Sequence, residues 1–467
     1  MVPENASLEG LPDELLLEVL VHLSTIRSFE TQSTIVDKSE ERARQRENRL
    51  RQLSLFNLCR TSRHLNRLAI PALYTAFTGF STWVGLRSLR SFHDEITAPR
   101  GSPGKVFTYA SHLQYVENRF TDDQGNNLFA NLNDPGELYV IKKYLSLLAG
   151  VINSAPNLQH INVTSTETHT VSFWKHVIDE KHLGAPRFTL LAGHGLSQLE
   201  TLCIETNFDE YDDAEATESL FDSICSAMAS VPSLSDIRAT GFRNLQRLEM
   251  TECLMEVQAM GMLLLACEGL RHIVCSWNYP DCLTQAIADF RPGLLKHSHT
   301  LETLYLDFRK VQYDPRANAK EPGRIGSLGQ FKHLHTLTIS QMHFLTGVED
   351  GPGEYCPMTP SKVAELLPLS LKRLNLFVEF ADMEDEFEEI LDSEEDLWHL
   401  LEACKASLQN LSEITVTGNG DIYGAGHIMD AFEQAGVRFE VITADSGLRG
   451  GMKMRVRHRG LHSRPRR

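Results

Sequence analysis

Nineteen histidines invite a metal-binding reading, but their spacing argues against a metal centre. A helical zinc site needs paired His at i and i+4 with a carboxylate in reach, as in HExxH, and no such set occurs. His297 and His299 fall in an expected turn, and His333 and His335 flank Leu334. All four read as solvated residues. Gly193-His194-Gly195 and Gly418-Asn419-Gly420 lack the GxGxxG or GxxxxGK[ST] frame that wraps a phosphate in backbone N–H groups, so they read as turns. No GxSxG occurs, hence no strained elbow to expose a serine nucleophile. The sequence assigns no catalytic residue, cofactor or metal ligand.

What it does offer is apolar surface. Leu11-Pro12-Asp13-Glu14-Leu15-Leu16-Leu17-Glu18-Val19-Leu20-Val21-His22-Leu23 reads as a helix. Pro12 suits the first turn, where a missing N–H costs nothing, and Asp13 and Glu14 complement the positive end of the helix dipole. Leu15, Leu16, Val19, Leu20 and Leu23 make a wide apolar stripe. The stretch 24–52 is polar and charged; helical periodicity then resumes over Leu53–Ala69, Pro71 ends it, and Leu73-Tyr74 follow. Short helices this apolar hold more sticky surface than they can cover among themselves, and such a surplus predicts a partner.

LPDELLLEVLVHL followed by LSLFNLCRTSRHLNRLAIPALY resembles an F-box of the style common in fungal proteins, here over residues 8–78. The chain departs from the pattern in its insertion at 24–52, where a typical F-box has only a few residues. Either an exposed loop or a helical extension is expected there, since loop-closure cost grows only logarithmically with length. The resemblance implies docking on the Skp adaptor of cullin–RING ubiquitin ligases. Matched position by position, the adaptor contacts would be Leu11, Pro12, Leu15, Val19, Leu20, Leu58, Cys59, Leu73 and Tyr74.

From residue 158 a hexad recurs, L-x-x-[LI]-x-apolar. It begins at Leu158, Leu199, Leu234, Leu245, Leu270, Leu301, Leu334, Leu371 and Leu411. Its last two marks alternate with period 2, as in a short strand with one buried face. Helical stretches fall between copies at Leu220–Val231, Leu254–Cys267, Ser361–Leu367, Leu397–Leu408 and His427–Ala435, and an apolar helical stripe, Ile141 to Ile152, precedes the first. Asn207, Cys253, Asn278 and Asn419 extend four copies to LxxLxLxxN/C, which is similar to leucine-rich repeats. Leu234 and Leu245 stand too close for an intervening helix, so one of them is expected to be a false copy or to lie in a loop. The expected fold is therefore α/β: a short helical F-box, then an irregular leucine-rich-repeat solenoid over 158–445, with parallel strands on the concave face and helices on the convex face. Residues 79–157 would be linker and an atypical first repeat or cap.

Composition bounds the rest. With 467 residues and 42% apolar content the chain can bury a large core. No apolar run is long enough to span a membrane, and the first residues show no secretory leader. Nine cysteines with no CxxC pair suit reduced thiols in the cytoplasm or nucleus. Net charge is −17, yet 449–467 hold eight Lys/Arg and no acid. An acidic body does not attract nucleic acid; only the basic tail, 446–467, has the charge for it and is expected to be disordered. The run 379–396 holds 11 Asp/Glu and no base and reads as a solvated insertion.

These expectations describe a substrate-recognition subunit of a Skp–cullin–F-box ligase with no catalytic site of its own. Its repeat face would bind a protein client through residues between the apolar marks: Arg247, Glu249, His272, Tyr305, Asp307, Arg373, Phe377 and Glu413. The alternative is a non-catalytic binding scaffold, nuclear or chromatin-associated, that acts without ubiquitin transfer.

Overall fold

The computed structural model describes residues 8–30, 38–80, 83–99, 108–119, 135–165, 198–206, 244–253, 257–277, 281–282, 285–309, 312–313, 325–341, 348–349, 355–356, 359–378, 393–418, 425–443 and 456–457. Several expected features lie outside them: the helix Leu220–Val231, the hexad at Leu234, Asn207, Asn278, Asn419, most of the acidic run and nearly all of the basic tail. The chain divides into two units, Met1–Leu245 and Gln246–Arg467.

The first unit opens with three helices, α1 (Asp13–His22), α2 (Lys38–Thr61) and α3 (Arg63–Leu73). Ser62 caps α3, its side chain accepting from the Leu65 N–H, which satisfies one of the donors a helix start leaves free. Leu20, Leu55 and Ala69, one from each helix, form the centre of the module, with Leu23, Leu58, Cys59, Leu68, Ala72 and Leu73 packed around them. Asp13 also reaches α3, pairing with His64 at 2.9 Å and Arg67 at 3.4 Å.

Among the described residues four parallel strands follow: β1 (Ala76–Phe80), β2 (Tyr115–Arg119), β3 (His160–Ser165) and β4 (Thr201–Thr206). β1 crosses the expected end of the helical module at residue 78. Helices α4 (Trp83–Thr97) and α5 (Pro135–Ser154) pack together, and α5 buries the stripe Ile141, Tyr144, Leu145, Leu148 and Ile152. Phe77, Val116, Ile161 and Leu202 share one register row, and Gly79, Asn118, Val163 and Ile204 the next. A Cβ on Gly79 would lie 2.4 Å from the Tyr144 hydroxyl, so the ring of α5 takes the space that an apolar mark fills elsewhere.

Among the described residues, the main sheet of the second unit has seven parallel strands. They are β5 (Arg247–Cys253), β6 (His272–Trp277), β7 (Thr303–Asp307), β8 (Thr336–Ser340), β9 (Arg373–Val378), β10 (Glu413–Gly418) and β11 (Arg438–Thr443). β12 (Val456–Arg457) pairs antiparallel with β11. Helices α6 (Val257–Ala266), α7 (Gln285–Leu295), α8 (Pro360–Leu366), α9 (Ser393–Ala406) and α10 (Ala425–Gln434) fall between strands. The hexad marks set this alternation. Leu248, Ile273, Leu304, Leu337, Leu374, Ile414 and Phe439 form one buried row, and Met250, Cys275, Leu306, Ile339, Leu376, Val416 and Val441 the next. Each such side chain contributes about 1.5–3 kcal/mol by leaving water. The hexad at Leu245 is therefore a true copy, leading into β5.

Backbone bonding fixes the stacking. The Gln246 carbonyl accepts from the N–H groups of Arg271 and His272, Arg271 from Glu302 and Thr303, Glu302 from His335 and Thr336, and His335 from Lys372 and Arg373. One carbonyl thus takes two donors from the next copy, which satisfies groups that a turn entering a strand would leave bare. His297 corrects an expectation: it is fully buried, its Nδ1 accepting from the Leu270 N–H at 3.2 Å and its Nε2 lying 3.0 Å from the Leu264 carbonyl. It is a brace between α6 and the next strand.

Candidate partner-binding surfaces

α1 is buried on one side only. Leu16 and Leu20 point into the module, while Leu11, Leu15 and Val19 remain 39%, 47% and 40% exposed and Pro12 is exposed beside them. Leu15 and Val19, one turn apart, share a helix flank. Four of the nine expected adaptor contacts also pack within the module. Leu20 is 6% exposed, at the centre of the three-helix core, and Leu58, Cys59 and Leu73 are half-buried against it. Burial pushes the Cys59 thiol pKa up. Tyr74 stacks on Tyr109 at 4.5 Å and lies 6.0 Å from Phe92, so its ring is engaged with the chain that follows. These residues build the module, and Leu11, Pro12, Leu15 and Val19 are the expected contacts that stay exposed. The structure adds exposed Leu17 and Val21 on the opposite flank of α1, and Leu50, Leu53 and Phe56 on α2.

The expected insertion is largely helix. α2 begins at Lys38 and runs unbroken through Leu53–Thr61, and Arg27, Ser28 and Phe29 lie against the sheet. Arg44 and Glu117 pair with side chains only 2% exposed. The Arg44 guanidinium also donates to Glu41 and to the Ile26 carbonyl, while Arg119 donates to Glu117 at 2.8 Å and pairs with Glu41 at 3.2 Å. The Tyr115 hydroxyl donates to Glu117 at 2.5 Å. Burial would raise the Glu117 pKa, but Arg44 and Arg119 overcome it and hold the carboxyl below the usual carboxylate range. The sequence did carry a signal for this face: Glu41, Arg44, Asn48, Gln52 and Leu55 continue the inward stripe of α2 at helical spacing.

On the second unit, the positions between apolar marks share the opposite face of the sheet. His272, Thr303, Thr336, Arg373, Glu413 and Arg438 make one register row with Arg247 at its start. Glu249 and Tyr305 lie in the next row, and Asp307 and Phe377 lie two residues further along their strands. The eight expected client residues are thus on one face, but not equally open. Glu249 and Phe377 are only 7% exposed. Arg247 donates to Glu249 at 2.6 Å. Arg309 donates to Asp307 at 2.9 and 2.7 Å, with its guanidinium 3.9 Å from the Phe377 ring centroid. Tyr305 meets Phe377 edge-on at 5.8 Å. Arg373 is exposed and Glu413 half-buried, the latter 3.7 Å from Arg438.

Three partly or fully buried histidines link this architecture to pH. Burial, then Arg27 at 2.7 Å, lowers the His160 pKa to about 3. Burial first, then Arg247, lowers that of His272, and burial lowers that of His297. A folded pKa below the unfolded value of about 6.5 stabilises the fold only while the ring is neutral. That contribution is complete above about pH 6.5 and is lost as pH falls toward the folded pKa. Glu117 adds a loss of the same sign below about pH 4.3. Thermal unfolding from pH 7.5 to 4 is therefore expected to give a steadily falling Tm, and His160→Gln, which keeps an acceptor for Arg27, should flatten part of that slope. An unchanged Tm across the range would refute these assignments.

Among the described residues no helix is long and apolar enough to cross a membrane, and no group of three or more His, Cys, Asp or Glu is placed to hold a metal ion. Neither a scan against protein-family models nor a search of curated proteins gives a match to this chain.

Proposed function

We propose that this chain is a substrate-recognition subunit of a Skp–cullin–F-box ubiquitin ligase. Its N-terminal helices dock on the Skp adaptor, and its strand-and-helix array, read as leucine-rich repeats, presents a protein client. The observation that supports this reading most is the half-exposed strip of Leu11, just before α1, and Leu15 and Val19 on it, beside Leu16 and Leu20, which alone bury the helix in the module. A short helix that keeps this much apolar surface in water is a docking element more often than a stabilising one. Strip and sequence motif coincide: the exposed residues belong to the matched positions of LPxELLxEVL.

Parallel strands with a common polar face provide the second requirement, a surface for the client. In such a ligase the rate gain is proximity, since the client's lysines are brought near the charged ubiquitin carrier, so the receptor needs two binding faces and no reactive group. Co-purification of the full chain with the Skp adaptor tests the reading. Leu11→Ala/Pro12→Ala is expected to lose the complex while thermal unfolding stays unchanged, because both side chains are exposed. Retained binding would exclude this surface. A chain that binds no adaptor yet shows salt-sensitive affinity for nucleic acid, lost on removing 449–467, would favour a nuclear scaffold instead.

A further inference from the structure

Strand-face positions differ sharply in what covers them. Arg373 and Arg438 are exposed on β9 and β11, with Glu413 half-buried between them on β10. On β2 and β3, Tyr115, Glu117, His160 and Asn162 are all buried, at 1–4% exposure, and what covers them includes the chain's own Arg27, Ser28 and Phe29 after α1 and Arg44 on α2.

The contacts are numerous and specific. Arg27 reaches His160 at 2.7 Å. The Ser28 N–H donates to the Tyr115 hydroxyl at 3.2 Å, and Asn162 donates to the Ser28 hydroxyl at 2.6 Å. Phe29 lies 5.0 Å from the His160 ring. Arg44 delivers its guanidinium to Glu117. Asn48 holds the two parts of the segment together, accepting from the Ile26 N–H and donating to its carbonyl, each at 2.8 Å. An arginine on a buried carboxylate, an aromatic ring on an imidazole and backbone bonded to a tyrosine are the contacts by which a face like this holds a bound peptide.

We propose that residues 26–30 and 41–48 are a built-in occupant of the strand face. They lie on β2 and β3 where an outside partner would lie, close that part of the face to clients, and fix the three N-terminal helices to the sheet. The cover does not depend on what binds α1, so it stands or falls separately from the ligase reading.

Amide hydrogen exchange and histidine modification by diethyl pyrocarbonate, both on the full-length chain, test it. Arg44→Ala removes the charge that the segment places on Glu117 but leaves Glu117 paired with Arg119, so the strand keeps a satisfied carboxylate. Amides of 26–30 and 41–48 are expected to exchange at least tenfold faster in this variant, while those of β2, β3 and the second unit hold their rates. His160 should pass from unreactive to reactive, with buried His297 unreactive throughout, and Arg46→Ala, on the exposed side of α2, should change nothing. Unchanged exchange in 26–30 and 41–48 would overturn the proposal. So would reactive His160 in the unsubstituted chain, and so would loss of β2 and β3 protection together with the segment, which would make it inseparable core. Asn162→Ala, which removes the bond to Ser28 without touching the ion network, repeats the test with the same expected pattern over 26–30.

Discussion

Glu117→Ala is expected to destabilise the first unit by about 3–5 kcal/mol, more than any other single polar substitution in it. The carboxylate accepts from Arg44, Arg119 and Tyr115, and its removal leaves the Arg44 guanidinium buried with Glu41 and the Ile26 carbonyl alone. The cost is that of stranding a charge, not the net worth of the pair, and a second substitution separates the two. Arg44→Met/Glu117→Leu removes both buried charges and leaves Glu41 and Arg119 paired at 3.2 Å. It is expected to regain most of the loss, because replacing a buried pair by apolar side chains of similar volume is often neutral. Urea unfolding of the four proteins in the cycle gives the coupling directly. A single substitution that costs less than about 1 kcal/mol would mean that the network is more open to water than its burial indicates.

The second large effect is expected in binding. Leu15→Asp/Val19→Asp puts two carboxylates where the proposed interface has two apolar anchors. Each anchor contributes about 1.5–3 kcal/mol on leaving water, so losing both weakens the adaptor complex at least roughly 100-fold. The fold should be indifferent, since both side chains are already 47% and 40% exposed and Leu16 and Leu20, which hold the module, are untouched. The contrast is Leu20→Asp, which would unfold the three helices by placing a charge beside Leu55 and Ala69.

The hexad made most of the sheet legible in advance, because two buried marks per strand leave a period-2 trace that survives irregular spacing. The strands it missed break the pattern for local reasons. In β1 the last mark is Gly79, whose place is filled by Tyr144; in β2 it is Asn118, which donates to the Thr164 carbonyl. In β11 the first mark is Gly436, in the left-handed region at φ 79°. α7 was hidden by Pro292 and Gly293 within it, residues that ordinarily end a helix. Yet Gly293 is needed there, because a Cβ would sit 2.6 Å from the Gly261 carbonyl of α6.

The candidate surfaces were legible as faces but not as exposures. Periodicity placed Leu15 and Leu20 on one wide stripe, and only packing separates the bare residue from the buried one. Glu249 and Phe377 were assigned to the right face, but their cover by arginines on the same face depends on side-chain direction that spacing does not encode. The role of 24–52 was least legible. Its charge reads as solvation, whereas Arg44 and Asn48 are buried because another 70 or more residues of chain bring Glu117 and its strand beneath them.

One titration bears most directly on the whole account: purified full-length chain against purified Skp adaptor, by calorimetry, alongside Leu15→Asp/Val19→Asp. The unsubstituted chain is expected to form a one-to-one complex, and the variant at least a 100-fold weaker one at unchanged Tm. No heat of binding in the unsubstituted chain, or equal affinity in both, would contradict it.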